Sequence, residues 1–417
     1  MGTRLLAQSG TLFLAITLTV LLAQPSMAGT PIHGAKAAGM STAFIGLADD
    51  PSAIFHNPAG ITQLEGTRIY SGFSIVDLDS TFTDTSGNRE DTEDQLFFPP
   101  HAYFTYQPPG STFTYGVGII SPFGIGGRKW SRSGLTRYLA TEGSISTVAI
   151  TPTIAARLAP SFSVGLGIDY QHTLSINEVM LDFSPDPDGR LRLEGEGGGW
   201  GWNVGGLWQV TSVLRAGLTY RSGVDADMDG DVEVTNIAPG LQPPFPGPSF
   251  KTSADTTLHF PEIYGLGFAF QWPERWTLAL DAEYVRWSSF DKIFTDFGTE
   301  VPPLIVDGYA VPDWEDQWLL KIGLEFPVSE RVALRGGYTF IQTPVPDHTI
   351  EAGNPDSDQH YLSLGFGHQG KRWTTDAYVS VGVYEDRKVD NIVNGMPQQG
   401  EYDSDITFAG VSLGYRF

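Results

Sequence analysis

The stretch WTLALDAEY (276–284) indicates the fold class of this chain, because its side chains alternate strictly between two kinds. The even positions from Trp276 to Tyr284 are mostly large and apolar, whereas the odd positions include Asp281 and Glu283. A period of two residues is that of a β-strand whose two faces meet different surroundings. The same alternation recurs in segments of about ten residues from Thr67 onward, so the chain is predicted to be all-β.

The connections between these strands fall into two classes, short and long. The six short ones are 108–111, 159–161, 210–212, 272–274, 328–330 and 369–370. The seven long ones, rich in Gly, Pro and Asp, are 83–95, 122–142, 184–189, 236–251, 297–312, 343–357 and 389–402. Thirteen connections imply fourteen strands. An even number of antiparallel strands with short turns at one end and long loops at the other is typical of a transmembrane β-barrel of the bacterial outer membrane.

A large soluble β-sandwich or a β-propeller would also alternate, and three observations count against both. Tryptophans stand near the predicted strand ends, as an interfacial aromatic girdle requires: Trp272, Trp276, Trp287, Trp314 and Trp318. No repeat of about 40 residues, the period of a propeller blade, is visible. The final strand alternates down to Phe417, and a terminal aromatic on such a strand resembles the insertion signal of outer-membrane barrels.

A barrel in a membrane closes on itself because lipid offers no partner for backbone N–H and C=O groups. Its polar side chains then face the lumen. The parity of the strands predicts seven charged residues on that inner face: Asp281, Glu283, Lys321, Glu325, Arg335, Asp376 and Arg416. They could form a lumen network or simply line the barrel.

The N-terminal 28 residues have the features of a secretory signal peptide: Arg4, an apolar run over 12–23, and small residues at Ser26 and Ala28. The apolar run is shorter than the roughly 20 residues that a spanning helix needs, and cleavage after Ala28 is predicted. The remaining 389 residues (417 less 28) hold 24 Lys and Arg (25 less Arg4) against 48 Asp and Glu, a formal charge of −24. This acidity counts against a nucleic-acid partner. The absence of cysteine excludes disulfides.

Motifs for metal binding and catalysis are weak. Asp225–Asp231 (DADMDGD) opens like a calcium loop, but Asn236 stands where a bidentate Glu is needed, so a solvated acidic rim is favoured and no metal is predicted. His360 and His368 share a strand face without an apparent nucleophile, and no catalytic signature occurs, so neither enzyme activity nor a cofactor is predicted. The glycine-rich run 195–206 is interpreted as a strand facing a crowded lumen, because no helix pattern follows it.

Two groups of residues near the N-terminus resemble a known family. GAKAAGMSTAFIGLADD (34–50) followed by NPAG (57–60) is similar to the start of the FadL family of outer-membrane transporters for long-chain fatty acids and other hydrophobic compounds. SPFG (121–124) and GLTRYLA (134–140) look like the first long-loop region of that family. The likeness covers the whole predicted mature chain in layout, and its specific motifs lie in the first third.

The resemblance implies a domain arrangement and a route for a ligand. Residues 29–66 would be a small hatch that plugs the barrel formed by 67–417, with Asp49, Asp50, Asn57, Pro58 and Ala59 as its gating residues. A ligand would be caught by the loops, enter an apolar pocket and leave sideways where the third strand, 112–121, kinks inward. Gly116 and Gly118 are where a kink would cost least. The mature N-terminus would reach the pocket, which points to Gly29, Thr30, Pro31 and Ile32.

The resemblance leaves the substrate class open. A fatty-acid carrier would be helped by a cation for the carboxylate, and Arg157, Lys321 or Arg335 could supply it. Relatives that pass aromatic hydrocarbons would not need one.

The predicted function is therefore passive uptake of hydrophobic compounds across the outer membrane of a Gram-negative bacterium. The expected partners are the hydrophobic ligand, outer-membrane lipid and lipopolysaccharide, and the barrel-insertion machinery through the strand ending at Phe417; a monomer is expected. Two other hypotheses remain open. One is a surface-interaction barrel, an adhesin or phage receptor acting through its acidic loops, and the other is a barrel hydrolase.

Overall fold

The computed structural model describes residues 33–242, 245–272, 276–302, 304–393 and 395–417. The predicted signal peptide and the predicted pocket-gating residues Gly29, Thr30, Pro31 and Ile32 lie outside these ranges. Among the described residues, no helix has the length and apolar character needed to cross a membrane.

The described chain consists almost entirely of strands. Two short helices come first, α1 (Ala35–Ala38) and α2 (Ala53–His56), and a 3-10 turn follows (Pro58–Gln63). The strand segments are β1 (Gly66–Asp84), β2 (Arg89–Asp91), β3 (Leu96–Phe97), β4 (Pro100–Gln107), β5 (Phe113–Ile120), β6 (Ile125–Lys129), β7 (Glu142–Ala159), β8 (Phe162–Leu181), β9 (Gly189–Gln209), β10 (Leu214–Arg221), β11 (Val224–Thr235), β12 (Ser249–Phe260), β13 (Ile263–Gln271), β14 (Thr277–Val285), β15 (Ile293–Phe297), β16 (Gly308–Ala310), β17 (Gln317–Ser329), β18 (Val332–Ile341), β19 (Gln359–Gln369), β20 (Trp373–Tyr384), β21 (Arg387–Val393) and β22 (Met396–Arg416).

These segments form a closed antiparallel barrel of fourteen wall strands. Around the ring, the described neighbours pair in the order β1, β4, β5, β7, β8, β9, β10, β13, β14, β17, β18, β19, β20 and β22. The ring closes because β22 pairs with β1 along its length, from Arg68 opposite Arg416 to Asp84 opposite Gly400. The predicted all-β barrel of fourteen strands is confirmed.

The two faces of the wall separate by polarity as the alternation predicts. Leu280, Ile322 and Leu364 are exposed on the outside. Most of the charged residues predicted for the inner face are buried or partly buried there: Asp281, Glu283, Lys321, Glu325, Arg335 and Asp376. Arg416 differs, because it is exposed at the end of β22, where its guanidinium donates to the carbonyl of Lys371 at the rim.

Two of the predicted long loops are instead strand hairpins. β1 and β2 are joined through 85–88 only, and β22 begins at Met396, soon after β21 ends at Val393. The Gly, Asn and Asp residues of both segments are typical loop signals. The hairpins nevertheless bury Phe82, Val389 and Tyr402 in the hydrophobic cluster inside the barrel. The other long connections end at what we call the long-loop end of the barrel, and the short ones at the short-turn end.

The predicted aromatic girdle is wrong for two of its five tryptophans. Trp287 and Trp314 are buried, and their ring centroids lie 4.9 Å apart within an inward-facing aromatic group that includes Phe290. Trp276 and Trp318 are exposed on the outer face, as a girdle requires. A tryptophan near a strand end faces lipid or lumen according to parity, and Trp287 has the odd parity of the inward-facing Asp281 and Val285 on β14.

Residues 33–65, which we call the inner segment, lie inside the ring of strands. Nearly all of them are buried, and they form hydrogen bonds with inward-facing groups around the barrel. Ala35 N–H donates to Ser412 on β22, the Ser41 hydroxyl donates to Ser363 on β19, and the N–H groups of Phe44 and Ile45 donate to Asp281 on β14. Contacts on so many sides place the segment in the lumen, near the short-turn end.

Candidate functional site

A belt of inward-facing glycines holds the inner segment close to the wall. A Cβ at any of ten positions would come within 3.0 Å of an inner-segment atom, so only glycine permits the observed approach. The ten are Gly116, Gly118, Gly165, Gly205, Gly217, Gly265, Gly267, Gly323, Gly337 and Gly365. They lie on β5, β8, β9, β10, β13, β17, β18 and β19, so the belt follows most of the barrel circumference.

Asn57 binds both the inner segment and the wall. Its side-chain oxygen accepts a hydrogen bond from the Ala59 N–H (3.2 Å) and so caps the 3-10 turn that Pro58 begins. Its amide nitrogen donates to the carbonyl oxygens of Ile45 (3.0 Å) and of Gly206 on β9 (3.1 Å). The buried Asn57 amide therefore has one partner in the inner segment and one in the wall. Its removal would take this donor away from the carbonyls of Ile45 and Gly206.

The two aspartates before α2 have separate structural contacts. Asp49 accepts from the Lys36 ammonium at 2.8 Å, which ties the start of the inner segment to its middle. Asp50 accepts from the N–H of Ser52 at 2.7 Å and from its hydroxyl at 2.5 Å, an arrangement that fixes the turn into α2.

An ion-pair network joins the inner segment to the wall. Arg335 donates from Nε to Glu325 and from Nη1 to Asp376, both at 2.7 Å. The Tyr70 hydroxyl also donates to Asp376 (3.1 Å), and the Lys36 ammonium lies 3.8 Å from Glu325. These charges are buried but paired, which is the condition under which the interior tolerates them.

The three cations proposed for a ligand carboxylate all have partners already. Arg157 donates to the carbonyl of Thr62 in the inner segment. The Lys321 ammonium lies 2.8 Å from the Glu283 carboxylate in an ion pair that lacks hydrogen-bond alignment. Arg335 is paired as described above. A role for these residues in binding a ligand stays a prediction.

The third wall strand is interrupted between β5 and β6. Residues 121–124 stand opposite only Thr147 and Val148 of β7, because Ile120 pairs with Ala149 and Ile125 with Ser146. Pro122 has no N–H for the ladder, and Gly124 has a φ of 85°. Two extra residues therefore bulge from the strand, and the sequence signal for the interruption is the SPFG motif.

The wall loses its regular pairing beside this interruption. The ladder between β4 and β5 joins Ala102–Tyr106 to Tyr115–Ile119. Beyond it, β6 pairs with β7, whereas β3 pairs with β1 at Leu96 and Phe97. Among the described residues, no ladder pair joins β6 to β2 or β3, so the wall is discontinuous between 94–99 and 121–128.

Gly116 and Gly118 lie in the regularly paired part of β5, not at the interruption. A Cβ on either one would come within 3.0 Å of Ile54 on α2. The interruption is therefore closer to the long-loop end than the glycines predicted for the kink. Ile54 is the inner-segment side chain that lies against these two positions.

The long-loop half of the lumen is apolar. Phe123, turned inward by the interruption, stacks on Phe260 with ring centroids 4.7 Å apart and meets Trp287 edge-on. Phe82 and Trp130 pack against Tyr402 in the same hydrophobic cluster. The broken strand therefore contributes an aromatic ring directly to the apolar lining.

The connection 342–358 covers this half. Ile350 and Ala352 are completely buried, and the Trp130 indole donates to the Ala352 carbonyl at 2.8 Å. Two carboxyl groups of the connection lie in the same apolar surroundings: burial raises the pKa of Glu351 to about 8 and that of Asp356 to about 6.

A family profile described as "Outer membrane protein transport protein (OMPP1/FadL/TodX)" matches residues 18–417. The chain belongs to this family. The resemblance to FadL proteins and the outer-membrane localisation are thereby confirmed.

Relatives from several bacteria agree with this membership. The chain is 24% identical to a long-chain fatty acid transport protein of Escherichia coli O6:H1 over 89% of both chains. It is 23% identical to the protein of the same name from Salmonella typhi, over 97% of this chain and 98% of the relative. These FadL-type relatives are named as transport proteins rather than as enzymes.

Solved structures of the family show the same fold. A Pseudomonas aeruginosa FadL homologue superposes with a TM-score of 0.83 at 20% identity, covering 94% of this chain and all of that one. The Pseudomonas putida toluene transporter TodX superposes with a TM-score of 0.72 at 16% identity, covering 93% and 99%.

The remaining predicted sites lie apart from the FadL-type lumen. Asp225–Asp231 forms part of the regular strand β11, with Asp225 2.7 Å from His259 and Asp231 3.0 Å from Lys251. Among the described residues, no group of three or more potential ligands could hold a metal ion. His360 interacts with Tyr338 and Glu385 on the outer face.

Sequence reasoning missed two buried cations of this FadL-type barrel, Arg221 on β10 and Arg128 on β6. Arg128 stands at an even position with the same parity as the buried Thr114 and Ile120, whereas Tyr115 and Ile119 are exposed. The alternation of β5 continues in β6, because the interruption at SPFG adds two residues, an even number. Extending the alternation past SPFG would therefore have placed Arg128 in the lumen.

Proposed function

We propose that this chain is an outer-membrane channel for the passive uptake of hydrophobic compounds, with lateral exit through the discontinuity in the wall. The observation that carries the proposal is the continuity between the apolar lining and the interrupted strand, since Phe123 belongs to both. The family supports transport across the outer membrane in general.

The physical basis of uptake is the low polarity of the long-loop half. Each CH₂ that moves from water into such a lining contributes about 0.8 kcal/mol, so an apolar slot concentrates dilute hydrophobic solutes. The connection 342–358 would shift to admit them. Hydrophobic capture of this kind suits both long-chain fatty acids and aromatic hydrocarbons, the compounds for which the relatives are named.

Exit would take place sideways because the inner segment fills the short-turn half. The glycine belt leaves little space between that segment and the wall. A solute in the apolar half would meet the discontinuity between 94–99 and 121–128, and beyond it the hydrocarbon core of the membrane. Leu96 and Phe98, both exposed, would flank the opening.

In this proposal Asp49, Asp50, Asn57, Pro58 and Ala59 hold the inner segment in place, and residues 29–32 reach towards the ligand. Lipid and lipopolysaccharide would surround the wall, and the insertion machinery would recognise the last strand, whose Phe417 N–H donates to the Thr67 carbonyl. The chain would act as a monomer and without catalysis.

Deletion of Pro122 and Phe123 tests the proposed exit. It leaves two residues opposite Thr147 and Val148, so β5 and β6 can form one continuous ladder with β7. Cells that lack the chromosomal gene would be complemented with the wild type or the deletion, and uptake of labelled oleate and of labelled toluene would be measured. We expect the deletion to abolish uptake of the transported compound.

Phe123→Ala is the matched control, because it removes the aromatic ring and keeps the interruption. It should retain most of the uptake. Equal uptake by the deletion and the wild type would exclude lateral exit here. If the wild type gave no uptake of either compound while phage adsorption or surface adhesion depended on the gene, the surface-interaction alternative would replace the proposal.

A further inference from the structure

The short-turn end of the barrel carries a row of cations, although the chain as a whole has a formal net charge of −23. The row, which we call the cationic rim, consists of Arg68, Arg331, Lys371, Arg372 and Arg416. Arg68 is half-buried, and the other four side chains are exposed. The strand ends and turns that carry the rim hold three acidic groups, Glu65, Glu330 and the terminal carboxylate. This part of a strongly acidic protein is therefore positive.

Backbone contacts make the cationic rim continuous. The Arg331 carbonyl accepts from the Gln369 N–H at 2.8 Å, beside the turn that leads into β20. The Arg372 carbonyl in that turn accepts from the Arg416 N–H at 2.9 Å, and Arg416 stands opposite Arg68 in the pairing of β22 with β1. The five positions therefore follow one another along the rim from the turn before β18 to β1.

The cations of the rim lack carboxylate partners. None of the five forms an ion pair within the described part of the chain. Arg416 Nη2 donates to the Lys371 carbonyl at 3.3 Å, and Arg372 Nη1 donates to the Tyr415 hydroxyl at 3.4 Å. Arg68 and Arg416 stand directly opposite each other, an unfavourable arrangement of like charges that an anion between them would relieve.

Exposed cations at the long-loop end behave differently. The Lys251 ammonium lies 3.0 Å from the Asp231 carboxylate, and Arg286 Nη1 lies 3.0 Å from the Glu262 carboxylate. The charges of these cations are balanced by carboxylates of the chain itself. The charges of the cationic rim remain available to an external anion.

Outward-facing aromatic rings fix the depth of the rim in the membrane. Trp373 and Phe417 are exposed on the outer face. The Tyr415 ring lies between them, with its centroid 4.6 Å from that of Trp373 and 4.8 Å from that of Phe417. Aromatic rings in such a girdle stand at the boundary between the hydrocarbon and the headgroups. Because Arg372 donates to the Tyr415 hydroxyl, its guanidinium lies at the depth of the lipid phosphates.

We propose that the cationic rim binds the headgroup of an anionic phospholipid in the leaflet on the short-turn side, with Lys371 and Arg372 as its main contacts. A guanidinium matches two oxygens of a phosphate, and each Lys or Arg near an anionic membrane surface adds to the attraction. The acyl chains then lie against the exposed Leu413 and Val379 on the outer wall. This surface faces away from the lumen, so the proposal is independent of the proposed uptake.

The test measures which lipid contacts Trp373. The purified full-length protein would be reconstituted into vesicles of dioleoylphosphatidylcholine. A minor fraction of the lipid would carry brominated chains, with either a phosphatidylglycerol or a phosphatidylcholine headgroup. Bromine quenches tryptophan fluorescence on contact. Each protein is prepared with and without Trp373→Phe, so that the difference between the two reports the quenching of Trp373 alone.

We expect phosphatidylglycerol to be preferred over phosphatidylcholine at Trp373 by about fivefold or more at low salt, and the preference to shrink at high salt. The double variant Lys371→Gln, Arg372→Gln should bring the preference close to one, because it removes the two main contacts. Quenching by brominated phosphatidylcholine should stay unchanged. That result also shows that the variant is folded and lies at the same depth in the bilayer.

The double variant Lys292→Gln, Lys388→Gln is the matched control. It makes the same change of charge at two exposed positions of the long-loop end, where neither lysine forms an ion pair with a described residue. It should keep the wild-type preference. The proposal is overturned if both lipids quench Trp373 equally in the wild type, or if the Lys371 and Arg372 variant keeps the preference. An equal loss in the two double variants would also overturn it, because overall charge would then explain the preference. Each of these outcomes leaves the proposed uptake untouched.

Discussion

The two halves of the barrel lumen use opposite means of filling space. The short-turn half contains the inner segment, held by close approach to glycines and by paired charges such as Arg335 with Asp376. The long-loop half contains apolar side chains and the buried connection 342–358. The first half is built from directional contacts, and the second mainly from non-directional ones.

This difference assigns two tasks to two parts of the lumen: the short-turn half closes the barrel, and the long-loop half is suited to receive a ligand. Hydrogen bonds and ion pairs in low-dielectric surroundings are lost steeply when their geometry changes, so the inner segment is expected to stay in place. Apolar side chains exchange one apolar neighbour for another at little cost, so a hydrophobic ligand can replace them. Arg128 is the exception within the apolar half, as a buried cation whose Nε donates to the Ser80 hydroxyl.

Arg335→Met should give the largest effect, because it leaves two buried carboxylates, Glu325 and Asp376, without their shared cation. Removing one partner of a buried ion pair costs about 3–5 kcal/mol. We expect a marked fall in thermal stability, measured by the temperature at which the heat-modifiable band shifts on a gel.

The triple variant Arg335→Met, Glu325→Gln, Asp376→Asn is the control for that change. It removes the unpaired charges and should recover much of the lost stability. A single variant as stable as the wild type would show that the network does not hold the short-turn half together.

Gly205→Val should have a smaller but still clear effect. A Cβ at position 205 would meet the Asn57 side chain, so the inner segment must shift. Overpacking of this kind costs about 1–3 kcal/mol. We expect increased leakage of small hydrophilic solutes into liposomes that contain the variant.

Gly206→Val is the matched control, because a Cβ there would approach only Phe162, at 3.9 Å. It should leave leakage unchanged. If both variants leak equally, close approach to the inner segment is not the reason for glycine at position 205.

The wall could be predicted from the sequence because each wall residue faces either lipid or lumen. Side-chain polarity therefore alternates with a period of two residues along each strand. Asp281 and Lys321 were assigned to the inner face on this basis. The position of the inner segment within the lumen is different, since it depends on glycines as far apart as Gly116 and Gly365. Each of these looks like ordinary sheet packing when it is considered alone.

The interruption of the third wall strand also shows that contacts between segments distant in sequence could not be predicted. Pro122 and Gly124 mark the place where the ladder fails, whereas Gly116 and Gly118, the predicted kink positions, lie in regular pairing with β7. Glycine is needed at these two positions because Ile54 approaches them, a contact that local sequence does not reveal.

Asn57→Ala should lower stability by about 1–2 kcal/mol, since it removes the cap of the 3-10 turn and the donor to Ile45 and Gly206. We expect altered uptake with the barrel still inserted. Asn57→Asp is the matched variant, because it keeps the capping oxygen and loses the donor. If Asn57→Asp behaves like the wild type, the cap matters and the bridge to β9 does not.

The smallest effect should be a pH dependence confined to the connection 342–358. Burial raises the pKa of Glu351 from its ordinary value of 4.5 to about 8, so the packed connection holds the proton more tightly than an open one. The stabilisation is therefore complete below about pH 4.5 and is lost as the pH rises towards 8. Amide exchange of this connection, corrected for intrinsic rates, should quicken over that interval.

Glu351→Gln should remove this dependence, because a neutral amide of similar shape stays uncharged throughout. Exchange of its connection should then be equally slow at pH 5 and pH 8, while the inner segment exchanges slowly in both proteins. The same pH dependence in wild type and variant would assign the titration to another group, such as Asp356. A pH response in the inner segment as large as that in the connection would mean that the two halves of the lumen do not open independently.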